Sequence, residues 1–386
     1  MLEGIVTWAE IDLDAVGHNV RAFQRHVGGQ VEVIAVVKAN AYGHGAVPVG
    51  KAALQAGATR LAVHRGIEGV ELRRAGITAP ILIMGYTPPD GAAMIVRWDL
   101  TASLITLEFA QALSAQANAV GRSIPVHIKV DTGMSRYGLM PAEVVPFLQA
   151  IAGLPGVSIE GLFTHFATAD SADPAGALAQ LNTFQEVLVA AREAGFSPPL
   201  VHAANSAATL NLRQAHFNAV RPGVALYGLQ PSSAWPPPFE IRPALSLKSL
   251  VARVRQLPAG AGIGYGFTFV TQRPITVALV PVGYGDGYHR ALSNRGVVLV
   301  DGQRAAVLGR VSMDQIVVDV SHISGVQMDD EVVLIGRQGT EHIRAEEIAR
   351  MAGTINYEVT TDLLPRVARV YLRSGKVVEI SALGIA

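Results

Sequence analysis

One alternation constrains this chain more than any other feature. As far as about residue 230, short β-branched and apolar runs take turns with longer stretches of helical character. The runs are Val33–Val37, Arg60–Val63, Pro80–Met84, Leu100–Leu104, Pro125–Val130, Ser158–Phe163, Pro199–His202 and Ala219–Arg221. Between them lie helical patterns such as Ile67–Ala75 and Ala142–Ala152, closed by Gly76 and Gly153. Strands that read as near-continuous apolar segments are buried on both faces, as in a parallel sheet whose crossovers are helices. Eight such units predict a closed (β/α)8 TIM-type barrel in preference to an open doubly wound sheet.

The pattern then breaks at Gln230–Pro243, where Pro236-Pro237-Pro238 can continue neither a helix nor a strand, so the segment reads as a stiff linker. Beyond it the spacing predicts strands at Ser246–Gln256, Thr276–Pro281, Val297–Val300, Ala305–Val311, Ile316–Val320 and Glu331–Ile335, with a tight turn at Asp301-Gly302 and one helix, Ala345–Ala352. The expected organisation is therefore a barrel over residues 1–235 followed by a mostly β domain over 236–386. A chain of 386 residues is long enough for both.

Composition narrows the chemistry. Half of the residues are hydrophobic and only 16% are charged, which excludes disorder. The 31 basic and 31 acidic side chains balance, with no basic cluster, so neither nucleic acid nor an anionic membrane is an expected partner. No cysteine is present, which removes disulfides, thiolate metal sites and a cysteine nucleophile; no metal is expected. Glu3 and the absence of an apolar run of about 18 residues point away from a signal peptide or a membrane span and toward the cytoplasm.

In barrels of this kind the active site lies at the C-terminal ends of the strands, and ionisable side chains collect there. Lys38 follows the first run directly, Lys129 lies near the end of the fifth with Arg136 in the loop beyond, and His165, His202 and Arg221 end the sixth, seventh and eighth. Taken singly, each has an ordinary reading: a lysine leaving a strand is usually a solvated charge, a strand histidine is more often a satisfied core residue, and Arg221 can serve a salt bridge. Together, this many cationic and imidazole groups at one mouth of a neutral protein call for an anionic ligand. Ser206 at a helix start and Gly223, in the loops after the seventh and eighth strands, suit a phosphate. A lysine beside a phosphate site suggests pyridoxal 5′-phosphate captured on Lys38. A sugar-phosphate aldolase would use the same lysine and leave the β domain idle.

The chain resembles the alanine racemases, fold-type III pyridoxal phosphate enzymes, along nearly its whole length. The matching segments are Ala35–Gly45, Lys129–Gly138, Gly161–Phe166, Arg221–Val224, Gly264–Gly266, Gly283–Gly287, Gly309–Asp314 and Asn356–Glu358. The resemblance implies that Lys38 carries the cofactor and is one base, and that Tyr265 is the second base, contributed to the partner's site in a homodimer. It implies that Arg221 bonds the pyridine nitrogen, supported by His202, with His165 against the ring. Tyr42, Ser206, Gly223, Val224 and Tyr357 would hold the phosphate. Arg136 and the partner's Met313 would touch the amino-acid substrate, Tyr284 would line the entrance, and Lys129 would be a carbamate orienting Arg136. Four positions depart from the common pattern: Ser312 for a frequent cysteine, Phe267 for a frequent arginine, and His64 and Arg65 where small residues are expected.

These roles suit racemisation, in which two bases on opposite faces of Cα remove and return a proton. A tyrosine's reference pKa is about 10, so a tyrosine base needs positive charge beside it. An arginine at the pyridine nitrogen donates a hydrogen bond without giving up its proton. The expected activity is interconversion of L- and D-alanine, supplying D-alanine for peptidoglycan. A racemase of broader specificity (serine among its substrates) and a fold-type III decarboxylase are the alternatives, although such decarboxylases generally use a cysteine that this chain lacks. A barrel-only pyridoxal phosphate carrier would have no use for the second domain, and a scaffold would have none for the cationic mouth.

Overall fold

The computed structural model describes residues 4–384. The first strand, β1 (Thr7–Asp12), is one that the apolar runs did not predict. Eight parallel strands then close a barrel in sequence order: β2 (Glu32–Val36), β3 (Arg60–Val63), β4 (Ile81–Ile83), β5 (Thr101–Leu104), β6 (Ile124–Lys129), β7 (Val157–Phe163), β8 (Leu200–His202) and β9 (Ala219–Val220). All eight coincide with the predicted runs. Closure comes from β2 pairing with β9, with Glu32 opposite Ala219 and Val33 opposite Val220. The strands are short and their apolar side chains almost wholly buried, as in Val33–Val37 and Leu61–Val63, because helices cover the outside while neighbours fill the inside.

Chain contacts divide the protein into two compact units. One comprises Val16–Ala41 and Ala46–Arg242; the other takes the described residues up to Ala15, Tyr42–Gly45, and those from Pro243 onward. Set beside a cut at 235/236, the units follow the chain less simply. The strand β1 belongs with the β unit, where it pairs antiparallel with Leu245–Leu250 and parallel with Ala368–Arg373. That unit is built on an eleven-stranded sheet. The segment Gln230–Pro243 carries neither helix nor strand. Asn19 pins its end, donating to the carbonyl of Arg242 at 2.8 Å and accepting from the Arg242 amide at 2.8 Å.

In the β unit the expected hairpin at Asp301-Gly302 is present, both residues having positive φ as a type I′ turn requires. The expected strand Ser246–Gln256 is two strands, Leu245–Leu250 and Arg253–Leu257, with different partners. The helix Ala345–Ala352 is followed by a second, Asn356–Thr361, and two further strands, Ala368–Arg373 and Lys376–Ser381, end the sheet. No helix among the described residues is long and apolar enough to cross a membrane.

Candidate active site

The barrel mouth is built on an unusual piece of backbone. Lys38 leaves β2 into a turn in which Ala39, Asn40, Ala41 and Tyr42 all have φ between 52° and 54°. Four consecutive non-glycine residues in the left-handed region cost about 1–2 kcal/mol each, so the surroundings must impose the turn. Inside it, the Ala41 amide donates to the Val37 carbonyl at 2.9 Å, and the side chain of Asn40 accepts from the Ala46 amide at 2.8 Å. Glu68 holds it from the next unit of the barrel. One carboxylate oxygen accepts from the Ala39 amide at 2.6 Å, and the other accepts from His64 and Arg65 at 2.7 and 2.8 Å. The amine that results is partly buried. Burial depresses its pKa, the positive charge of Arg136 adds to that, and Glu68 opposes it.

Lys129 ends β6 and is 8% exposed. Its amine lies 5.2 Å from the centroid of the Tyr137 ring and 5.5 Å from that of Phe163. Burial, followed by the charges of Arg221, Arg136 and Lys38, brings its pKa down to about 8. Arg136 stands in the loop after β6, shaped by Asp131, whose carboxylate accepts from the amides of Gly133, Ser135 and Arg136 at 2.9–3.1 Å. The loop closes at Gly138, where φ is 147° and a Cβ would stand 2.6 Å from the Asp131 nitrogen.

Arg221 follows β9 and is 3% exposed. Its guanidinium donates to the Thr164 carbonyl at 2.6 Å, to Nδ1 and the carbonyl of His202 at 2.6 and 2.9 Å, and to the Ala203 carbonyl at 3.1 Å. His165 Nδ1 stands 3.4 Å away. All of these partners are neutral, and burial lowers the Arg221 pKa to about 9, which still leaves a cation at neutral pH. Burial and the same cation keep His165 and His202 well below the usual imidazole range. Ser206 opens the helix after β8 and is capped by Asn205; its Oγ accepts from the amides of Gly223 at 2.8 Å and Ala225 at 3.3 Å, leaving its proton to donate outward. Val224 follows Gly223 in a buried turn.

Lys38, Lys129, Arg136, His165, His202, Ser206, Arg221, Gly223 and Val224 thus all stand at or beyond the C-terminal ends of barrel strands. Those residues fit pyridoxal phosphate: a partly buried amine for its aldehyde, a buried donor for its ring nitrogen, and a hydroxyl proton with glycine backbone for its phosphate.

The remaining expected residues lie in the β unit. Tyr42 is buried, with its ring centroid 6.2 Å from that of Tyr357; burial and that neighbour raise its phenol's pKa. Tyr265, Met313 and Tyr284 are 71%, 52% and 40% exposed. The segments carrying the last two are clamped by Arg366, which donates to Asp286 at 2.6 Å, to Asp314 at 2.8 Å and to the Met313 carbonyl at 3.2 Å. Gly283 lets the two backbones meet, since a Cβ there would lie 2.3 Å from the Ser312 and Met313 carbonyls. The Phe267 ring lies against Gly262, while the guanidinium of Arg310 lies against Gly266.

Sequence reasoning missed Glu68, Arg366, His127 and Glu160. Glu68 had a local signal, three residues after Arg65 at a helix start, where a carboxylate satisfies free amides; the other three act only through residues distant in sequence.

A parallel eight-stranded barrel with a partly buried lysine after its first strand, a serine hydroxyl and glycine backbone in the loops after its last two, and an appended β unit is the architecture of a fold-type III pyridoxal phosphate enzyme. The models for the alanine racemase N-terminal and C-terminal domains match residues 11–231 and 244–371. An alanine racemase of Desulfovibrio desulfuricans is 46% identical over 365 residues, 95% of this chain and 98% of that protein. The structure of Bacillus anthracis alanine racemase with bound L-Ala-P superposes with a TM-score of 0.93 at 44% identity, covering 97% of each chain. A histidine racemase from Leuconostoc mesenteroides has a TM-score of 0.89 at 29% identity, covering 96% of this chain and 99% of that one. The chain belongs to the alanine racemase family, enzymes that use pyridoxal 5′-phosphate to interconvert L- and D-alanine.

Proposed function

We propose that this protein racemises alanine with two bases, Lys38 on one face of the substrate and Tyr265 of the partner subunit on the other. The observation that carries the reading is the partly buried Lys38 amine, its pKa depressed, near the Arg136 and Arg221 cations at the mouth of one barrel. When bound, pyridoxal phosphate supplies the electron sink that stabilises negative charge at Cα. Around it the protein binds and orients. Ser206, Gly223, Val224, Tyr42 and Tyr357 hold the phosphate; Arg221, steadied by His202, donates to the ring nitrogen; His165 packs against the ring. Arg221, kept protonated, would give the ring nitrogen a hydrogen bond and no proton, a donor that would moderate the electron sink and favour return of the proton to Cα over side reactions. Arg136 and the partner's Met313 touch the substrate, and Tyr284 lines the way in.

Lys129 fits a carbamate. Lowered to about 8, its pKa leaves a far larger neutral fraction near neutral pH than an ordinary lysine has, open to carbon dioxide, and the resulting anion would face Arg136 in place of a second cation. In this assembly segment 1–235 is the cofactor-binding barrel, helped at the phosphate by Tyr357, and segment 236–386 contributes to the partner's site in a homodimer. The cellular setting we propose is the cytoplasm, where D-alanine would feed peptidoglycan synthesis. Borohydride reduction of the yellow holoenzyme followed by peptide mapping should place the pyridoxyl group on Lys38, and chiral analysis should show L-alanine approaching a racemic mixture. A label on another lysine would overturn the assignment.

A further inference from the structure

A chain of polar side chains runs down the inside of the barrel from Arg221 to the opposite rim. His202 Nε2 lies 2.8 Å from His127 Nδ1, and His127 Nε2 lies 3.0 Å from Glu160 Oε2. The other oxygen of Glu160 accepts from Arg60 at 2.9 Å, and Arg60 reaches Glu32 at 3.0 Å. Arg221, His202 and His127 are buried, while Glu160, Arg60 and Glu32 are partly open to solvent, with side-chain exposures of 22%, 17% and 36%.

The fold makes room for this chain deliberately. The β6–β7 register shifts between Val126 and His127, which pair with Ile159 and Gly161, so Glu160 is the extra residue of a bulge that turns its carboxylate to His127. Gly161 is obligatory for the same contact, because a Cβ there would stand 2.6 Å from His127 Nδ1. Phe163 covers the chain, stacking on His202 at 4.8 Å and 16° and meeting His127 edge-on at 6.3 Å.

Every proton in the chain is determined. A guanidinium only donates, so His202 Nδ1 must be bare. A neutral His202 then carries its hydrogen on Nε2 and donates to His127, whose Nδ1 must be bare in turn. His127 carries its hydrogen on Nε2 and donates to Glu160. The negative charge that answers Arg221 is therefore Glu160, relayed through two neutral imidazoles oriented the same way.

Resting on the proposed placement of Arg221 at the cofactor's ring nitrogen, we propose that His127 and Glu160 are positioning residues for racemisation: through His202 they fix Arg221 as a pure donor toward that nitrogen. Were His127 to reverse its hydrogens, His202 would present an N–H to the Arg221 guanidinium, and the arginine would turn away.

The test uses holoenzyme with 15N-labelled histidine, the rings assigned by single His→Gln variants. Both His127 and His202 should show a bare Nδ1 and a protonated Nε2 at neutral pH. In Glu160→Gln, which removes the charge and keeps the shape, the His202 Nδ1 resonance should move and kcat should fall about tenfold with KM nearly unchanged, the signature of a misplaced rather than missing group. Glu160→Asp should recover part of both. Native His202 shifts together with native kcat in Glu160→Gln would overturn the proposal. If that variant does not fold, the native protein decides: a protonated Nδ1 on either ring overturns it. Borohydride labelling of the same samples keeps the two readings apart, since a label away from Lys38 sinks the cofactor assignment whatever the imidazoles show.

Discussion

Glu68 never touches substrate in this reading, yet removing it should disturb the reaction more than most surface changes. Its carboxylate accepts three backbone N–H groups, from Ala39, His64 and Arg65 at 2.6, 2.7 and 2.8 Å. Hydrogen bonds to a charged acceptor contribute about 1.5–3 kcal/mol each when buried. These lie near solvent, which trims each to about 1 kcal/mol and the sum lost in Glu68→Ala to about 2–3 kcal/mol. For a unit the size of the barrel that is a fall in Tm of roughly 5–10 °C. The loss falls on the residues Ala39–Tyr42, whose left-handed backbone is itself disfavoured, so the turn should relax toward extended geometry and carry Lys38 with it. Glu68 also opposes the burial and the Arg136 charge that lower the Lys38 pKa, so its removal should let that pKa fall further. The assay is two-fold: thermal unfolding of the apoprotein, and the rate of pyridoxal phosphate capture followed by absorbance across pH. Glu68→Gln, which keeps an acceptor oxygen and loses the charge, should fall between. An alanine variant that melts within about 2 °C of the native protein and captures cofactor at the native rate would show that something else holds the turn.

Four further outcomes follow from the site. Lys129, as a free amine, has its pKa lowered from 10.5 to about 8, so the folded state is penalised fully below pH 8 and the penalty fades as pH rises toward 10.5; stability should climb through that window in carbonate-free buffer, and the climb should vanish in Lys129→Met. With 13C-bicarbonate near pH 8 a carbamate carbon should appear and be absent from Lys129→Met. Lys38→Ala and Tyr265→Phe should each be nearly inactive, and co-refolding them should return roughly a quarter of native activity, because about half the dimers are mixed and each has one complete site; no recovery despite mixed dimers would place both bases in one subunit's site. Arg366→Leu should free the Met313 segment, raising amide exchange at Tyr284 and Gly285 roughly tenfold, equal to about 1.4 kcal/mol of local stability.

The barrel was legible because parallel strands buried on both faces leave near-continuous apolar runs, and because Lys38 ends one of them. The first strand escaped because its partners lie far along the chain: nothing near Thr7–Asp12 announces Leu245–Leu250 or Ala368–Arg373. The break inside Ser246–Gln256 escaped for a related reason, since Val251 and Ala252 are as apolar as their neighbours and only the change of partner divides the strands. The helix Asn356–Thr361 is a single short stretch holding Val359, Thr360 and Thr361, whose β-branched side chains argue against a helix locally. Among site residues, those at strand ends could be read directly, whereas the tasks of Tyr265, Met313, Tyr284 and Tyr357 came only from resemblance. Glu160 was out of reach altogether, because its role is made by a bulge.

The placement of β1 bears on how the chain is made. Thr7–Asp12 leaves the ribosome long before its neighbours, for it sits between two strands that emerge far later, with Trp8 opposite Lys248 on one side and Ala368 on the other. At about 5–20 residues per second, the last of these partners follows it by roughly 20–70 s, long enough for the barrel to complete itself in between. During that interval a strand carrying Trp8, Ala9 and Ile11, all buried in the finished protein, waits with both of its edges open. The β unit is consequently the last part to mature, and it cannot do so from its own contiguous segment: a fragment starting at Pro243 would lack an interior strand of its sheet, so separate expression of the two halves must carry residues 4–15 on the second.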